Sequence, residues 1–129
     1  MKRGDFMAWN LNSDRPIFMQ LIEIIQISII SGKYAPGSKL PSVRDLASEA
    51  AVNPNTMQKA LAELERSGLV FSQRTSGRFI TEDVAMIEDL KSTLAKEKMK
   101  QFLESMRQLG FQKEETLALM SKFLKGDHS

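Results

Sequence analysis

The chain contains no cysteine, so disulfides and thiolate metal ligands are excluded, in keeping with a reducing compartment, expected here to be the cytoplasm. Its single histidine, His128, stands one residue from the end of the sequence, which leaves no basis for imidazole catalysis or imidazole metal binding. Asp127, His128 and Ser129 are merely consecutive in a loose tail. Gly32 and Gly37 have the spacing of a nucleotide-binding loop, but Ser38 precedes Lys39 where that motif requires the lysine first, and no strand comes before it. With no nucleophile beside a base and no ligand cluster, no enzymatic activity, metal or cofactor is expected. Long apolar runs are also missing. The most apolar segment, residues 17–30, is broken by Gln20, Glu23 and Gln26 and is shorter than the roughly 20 residues of a membrane span, and its flanks lack a secretion signal. It reads as a buried helix, and no membrane partner is expected.

What is present is an ordinary globular composition over 129 residues, 42% apolar and 26% charged, enough for one domain with an appendage. The net charge is only +2. Residues 1–82 hold ten Lys or Arg against eight Asp or Glu, and residues 83–129 hold eight of each, so the surplus that would attract a polyanion lies in the first part.

Residues 1–13 form a leader in which Phe6, Trp9 and Leu11 are expected to pack on the domain; Met1 and Met7 are alternative starts. A first helix runs from about Pro16 to Ser31, with Ile17, Leu21, Ile24, Ile25 and Ser28 in its main stripe and Gly32 as its stop. Residues 34–41, with two prolines and a glycine, read as a turn-rich connector. Ser42 opens a Ser-x-x-Asp capping pattern, and Val43, Leu46, Ala47 and Ala50 follow at helical spacing. Ala51 and Val52 make a turn. Asn53 and Pro54 then start a helix over 53–67, because an Asn side chain caps free N–H groups and Pro at the first helical position loses no intrahelical bond. After Gly68, two short β-prone runs flank residues 73–77 and form a hairpin over 69–81, with Gly77 free to take positive φ. Helical periodicity returns over 83–109 and 113–125. The predicted fold is mainly α with a small β-hairpin: a winged helix-turn-helix domain over 1–82, then a helical hairpin over 83–129.

On the helix over 53–67, Met57, Ala60, Leu61 and Leu64 share one sector and face the core. Asn55, Gln58, Lys59, Ala62 and Arg66 face outward with Thr56 at the edge, and no carboxylate lies in the first turns. A face pressed on phosphates and base edges must avoid negative charge. Asn and Gln suit adenine edges, and Lys and Arg suit guanine or phosphate. Lys59 is expected to anchor phosphate. Arg44, in the first turn of its helix, opposes the helix dipole and is better explained as a DNA contact than as a stabiliser. Arg74 and Arg78 flank the wing tip within reach of phosphates or the minor groove, although exposed hairpin arginines also occur without such a role. Asn53 serves as cap, contact or both.

The stretch GSKLPSVRDLASEAAVNPNTMQKALAELERSGLV, followed by SGRFI, resembles the N-terminal DNA-binding domain of the GntR family of bacterial transcription regulators over about Trp9 to Thr81. The resemblance implies operator contacts at Arg44, Asn53, Asn55, Thr56, Gln58 and Gly77. The short helical tail is similar to that of the YtrA subfamily, whose members are homodimeric regulators. A two-helix tail with a broad apolar face cannot bury it alone. Ile87, Leu90, Leu94, Phe102, Met106, Leu109, Leu117, Met120, Phe123 and Leu124 are therefore expected to dimerise, the alternative being a tail folded back on its own chain. A small-molecule effector would occupy a pocket between tail and winged domain, lined by methionine and apolar side chains, with no residue that singles out its identity. The expected function is that of a homodimeric, sequence-specific DNA-binding transcription regulator, a repressor, reading an inverted-repeat operator through helix 53–67 and wing 69–81. The alternative is a winged-helix protein-interaction module, which would call for an apolar face where this one is rich in amides.

Overall fold

The computed structural model describes residues 9–126; Phe6, Met7 and the tail with His128 lie outside the described residues. Among the described residues the elements are α1 (Ile17–Ile30), α2 (Val43–Ala50), α3 (Pro54–Arg66), β1 (Val70–Gln73), β2 (Gly77–Ile80), α4 (Val84–Gln108) and α5 (Lys113–Leu124). The chain divides into two compact units, one ending at Leu90 and the other beginning at Lys91. The end of the wing at residue 82 is thus not where the first unit stops, because Ile87 is buried and Met86 and Leu90 pack against its core.

α1 is the central core helix, with Leu21, Ile25 and Ile29 buried. One of the two glutamines that interrupt its apolar run, Gln20, is buried as well, and it is fully satisfied. Gln20 accepts from the Asn12 N–H at 2.9 Å and donates to the carbonyls of Asn12 and Arg15 at 2.8 and 2.9 Å. A buried amide without partners would be destabilising, so these bonds both permit Gln20 and fix residues 12–15. Trp9 and Leu11 pack against the core, and the Trp9 indole N–H donates to Glu49 at 3.1 Å. Tyr34 is buried in the same unit; its burial, with the Glu49 carboxylate nearby, pushes the phenol up to about 12 and keeps it neutral.

Ser42 caps α2 by accepting from the Asp45 N–H at 3.1 Å. Only this half of the Ser-x-x-Asp pattern forms. A reciprocal bond is present at α5, where Glu115 accepts from the Gln112 N–H at 2.8 Å; its side chain is one methylene longer than that of Asp45. Leu46, Ala47 and Ala50 bury one side of α2, while Val43 is half-buried at its margin. The turn into α3 depends on Ala51 at φ 58°, the left-handed region, followed by the Val52 N–H bonded to the Ala47 carbonyl at 3.0 Å. Asn53 then caps α3 by accepting from the Asn55 N–H at 2.7 Å, with Pro54 as the first helical residue.

β1 and β2 pair antiparallel in the register Val70 to Ile80 through Gln73 to Gly77. Val70 and Ile80 point into the core, and Phe71 and Phe79 stack with ring centroids 5.9 Å apart. The connector expected as turn does more than connect. Lys39 bridges to Phe79, the Leu40 N–H donates to the Arg78 carbonyl at 2.8 Å, and the Ile80 N–H donates to the Ser38 carbonyl at 2.9 Å. Residues 38–40 therefore add an edge to the hairpin, and Pro36 and Pro41 stand outside the paired positions, where a missing N–H does not interrupt the ladder.

A left-handed alanine is strained by about 1–2 kcal/mol relative to ordinary backbone, and glycine relieves that strain at the expense of a more flexible unfolded chain. Ala51→Gly is expected to raise stability by about 0.5–1 kcal/mol in urea unfolding, an unusual direction for an alanine-to-glycine change next to a helix.

Candidate nucleic-acid interface

Burial decides which side of α3 is available. Met57, Ala60, Leu61 and Leu64 are each at most 1% exposed, which fixes the helix's rotation. Asn55, Gln58, Lys59, Ala62 and Arg66 are left exposed and Thr56 half-buried. The first turn carries no acidic residue. Because the Asn53 carbonyl oxygen is engaged as the cap, what that side chain still offers outward is its N–H groups. The Lys59 ammonium lies 5.4 Å from the Phe18 ring centroid, a cation-π contact that holds it on the flank of α3 nearest α1.

The nearest carboxylates on α3 are both occupied by cations. Glu63 pairs with Arg66 one turn on. Glu65 accepts from Arg78 Nε at 3.1 Å and also from the Ser72 hydroxyl, so one carboxylate ties both strands of the hairpin to α3. The Arg78 side chain is only 19% exposed. Arg78, expected beside the wing tip within reach of phosphates or the minor groove, has its guanidinium on Glu65, where it ties the wing to α3. Arg74 is exposed in the turn between the strands. Gly77 has φ +108°, a conformation that disfavours any side chain.

Between the start of α2 and the wing lies a groove of ≈ 810 Å³ whose walls include Lys39, Ser42, Arg44, Ser76, Gly77 and Arg78. Among the described residues, Lys39, Arg44 and Arg74 form no ion pair, whereas Arg66 and Arg78 do. Uncommitted cations bind phosphate without first breaking an internal bond. Lys39 was missed as a site residue because its place beside the wing depends on backbone pairing that a turn-rich composition does not signal.

Of the residues expected to dimerise, Ile87 is buried and Leu90 half-buried within the winged unit, so their apolar surface is already used by that core. Leu94, Met106 and Met120 are half-buried, while Phe102, Leu109, Leu117, Phe123 and Leu124 are exposed. Among the described residues no helix is long and apolar enough to cross a membrane, and no group of three or more His, Cys, Asp or Glu is placed to hold a metal ion.

A capped helix, a tight turn, a second helix whose exposed first turn carries no acid and a hairpin wing together define the DNA-binding winged helix-turn-helix class. Residues 19–80 match the family of bacterial regulatory proteins known as the gntR family. The chain is 39% identical over 114 residues to the HTH-type transcriptional regulator YhcF of Bacillus subtilis (strain 168), covering 88% of this chain and 94% of that one. It is 40% identical over 97 residues to the HTH-type transcriptional repressor YtrA of the same organism, covering 75% of this chain and 70% of the repressor. A GntR family transcriptional regulator from Listeria monocytogenes superposes with a TM-score of 0.80 at 38% identity, over 87% of this chain and 98% of the other. AraR(DBD), solved in complex with operator ORX1, superposes with a TM-score of 0.52 at 27% identity, over 56% of this chain and 93% of that one. The chain belongs to the GntR family of transcription regulators, and its relatives include the YtrA type.

Removing the carboxylate that joins wing and helix tests the geometry directly. Glu65→Ala is expected to loosen the hairpin by about 1–2 kcal/mol, seen as faster amide hydrogen exchange over residues 70–80 with little change in α1.

Proposed function

We propose that the protein is a homodimeric repressor acting in the cytoplasm, which reads an inverted-repeat operator with α3 in the major groove and the hairpin wing against the adjoining backbone. The exposed, acid-free tip of α3 carries this reading. Asn55 and Gln58 present amides suited to adenine edges, with Thr56 beside them and the Asn53 N–H groups at the helix start. Arg44 and Lys59 neutralise phosphates, and Arg74 does so from the wing tip. Gly77 lets the wing approach closely, and Arg78 holds it through Glu65.

Dimerisation rests on the second unit. Leu109, Leu117 and Leu124 are 71–75% exposed and Phe123 is 53% exposed, while α5 buries only Thr116. Helices this short draw most of their stability from tertiary packing, so an apolar face left open in one chain calls for a second copy. Leu94, Phe102, Met106 and Met120 extend that face along α4 and α5. Ile87 and Leu90 are left to the winged core. Two-fold pairing presents two copies of α3 to half-sites about 34 Å apart or a multiple of that. Repression follows when the bound dimer covers promoter DNA. A small-molecule effector would act by changing the spacing of the two readers, and no described residue selects its chemistry.

Gln58→Ala is expected to lose about 1–3 kcal/mol of operator affinity and to relax preference at one base position. Lys59→Ala is expected instead to weaken binding to all sequences alike and to flatten the salt dependence by about one unit. Fluorescence anisotropy with operator and scrambled duplexes separates the two. Unchanged sequence preference in Gln58→Ala would remove that residue from the reading face.

A further inference from the structure

We infer that Lys39, in the connector before α2, is a phosphate-binding residue of the DNA interface, acting together with Arg44 in the groove that α2 and the wing line. The inference rests on the DNA-binding reading and adds to it a contact that comes from neither the helix-turn-helix nor the hairpin turn.

Three independent observations converge on Lys39. The first is rigid placement: the bridge to Phe79, with the Leu40 N–H on the Arg78 carbonyl and the Ile80 N–H on the Ser38 carbonyl, fixes the Lys39 backbone as an edge of the wing. A lysine held this way gives up less freedom on binding than one in a loose loop. The second is its path across Gly77. A Cβ added to Gly77 would lie 3.1 Å from Lys39 Cε and 3.9 Å from its Nζ, so the lysine stem crosses the wing where the side chain is missing. Glycine at this position thus serves both a positive φ and the passage of Lys39.

The third is charge. Lys39, Arg44 and Arg78 line the groove against a single carboxylate, Asp45. Arg78 is committed to Glu65, and among the described residues Lys39 and Arg44 form no ion pair. The hydroxyls of Ser42, Thr75 and Ser76 complete a lining suited to phosphate oxygens, although the Ser42 hydroxyl already accepts from the Asp45 N–H. A groove whose lining carries two cations without an ion pair among the described residues, one on the connector and one on α2, offers both to the phosphates of one strand, and such a backbone contact carries no base preference.

The test uses the full chain with Lys39→Met, which keeps the stem without the charge, Lys39→Arg, which keeps the charge, and Arg44→Met as a comparison. Affinity for operator and scrambled duplexes is measured from about 50 to about 200 mM salt, where each neutralised phosphate contributes about 0.9 to the slope of log affinity against log salt. Lys39→Met is expected to weaken both duplexes by the same factor and to lower the slope by about 0.9, with the slope retained in Lys39→Arg. A structural role alone would leave the slope unchanged. An unchanged slope in Lys39→Met, or a loss confined to the operator, overturns the inference while the DNA-binding reading stands. If the unaltered chain binds neither duplex at low salt, that reading falls and the inference falls with it.

Discussion

The rotation of α3 about its own axis is the constraint on which the rest depends. Met57, Ala60, Leu61 and Leu64 are sealed in a core shared with Leu21, Ile25 and Leu46, and turning the helix would expose them while driving Asn55, Gln58 and Lys59 inward. Exposing even two such side chains would be unfavourable by several kcal/mol, a large part of the stability of a small domain, estimated at about 1.5–3 kcal/mol for each. The core therefore presents the amide and cationic face as a rigid surface. Its left-handed turn at Ala51 and the Asn53 cap set where that surface begins.

The wing is joined to this surface by polar bonds as well as by the burial of Val70 and Ile80. Glu65 takes Ser72 from one strand and Arg78 from the other, and residues 38–40 pair along the outer edge of β2. This arrangement also manages charge. Negative groups late in α3 are neutralised within the protein, while Lys39, Arg44 and Arg74 form no ion pair among the described residues. A modest net charge of +2 is thus compatible with a locally cationic interface, because what a nucleic acid meets is the uncommitted charge and not the total.

Most of the architecture was legible in the sequence because its signals are local. Gly32 and Gly68 mark helix ends, Ser42 and Asn53 mark starts, and the spacing of Met57, Ala60, Leu61 and Leu64 gives the buried side of α3. The features that escaped are those in which distant segments meet. Nothing near Ser38–Leu40 announces pairing with β2, nothing near Gln20 shows that the leader will saturate its amide, and Arg78 reads the same whether it faces solvent or Glu65. Ala51 escaped for a different reason: its left-handed conformation is imposed by the turn, and alanine gives no local sign of it. In the tail, periodicity alone assigned Ile87 to the same face as Leu94 and Phe102, while the structure uses Ile87 to seal the winged core.

In the proposed function, α3 is presented twice by paired chains, and its acid-free tip recognises a defined duplex sequence. Selection of bound duplexes from a random pool by the purified chain tests it most directly. Enrichment of an inverted repeat is expected, with half-sites about one helical turn, or a multiple of it, apart. Recovery of no preferred sequence, even at low salt where phosphate contacts are strongest, would contradict it.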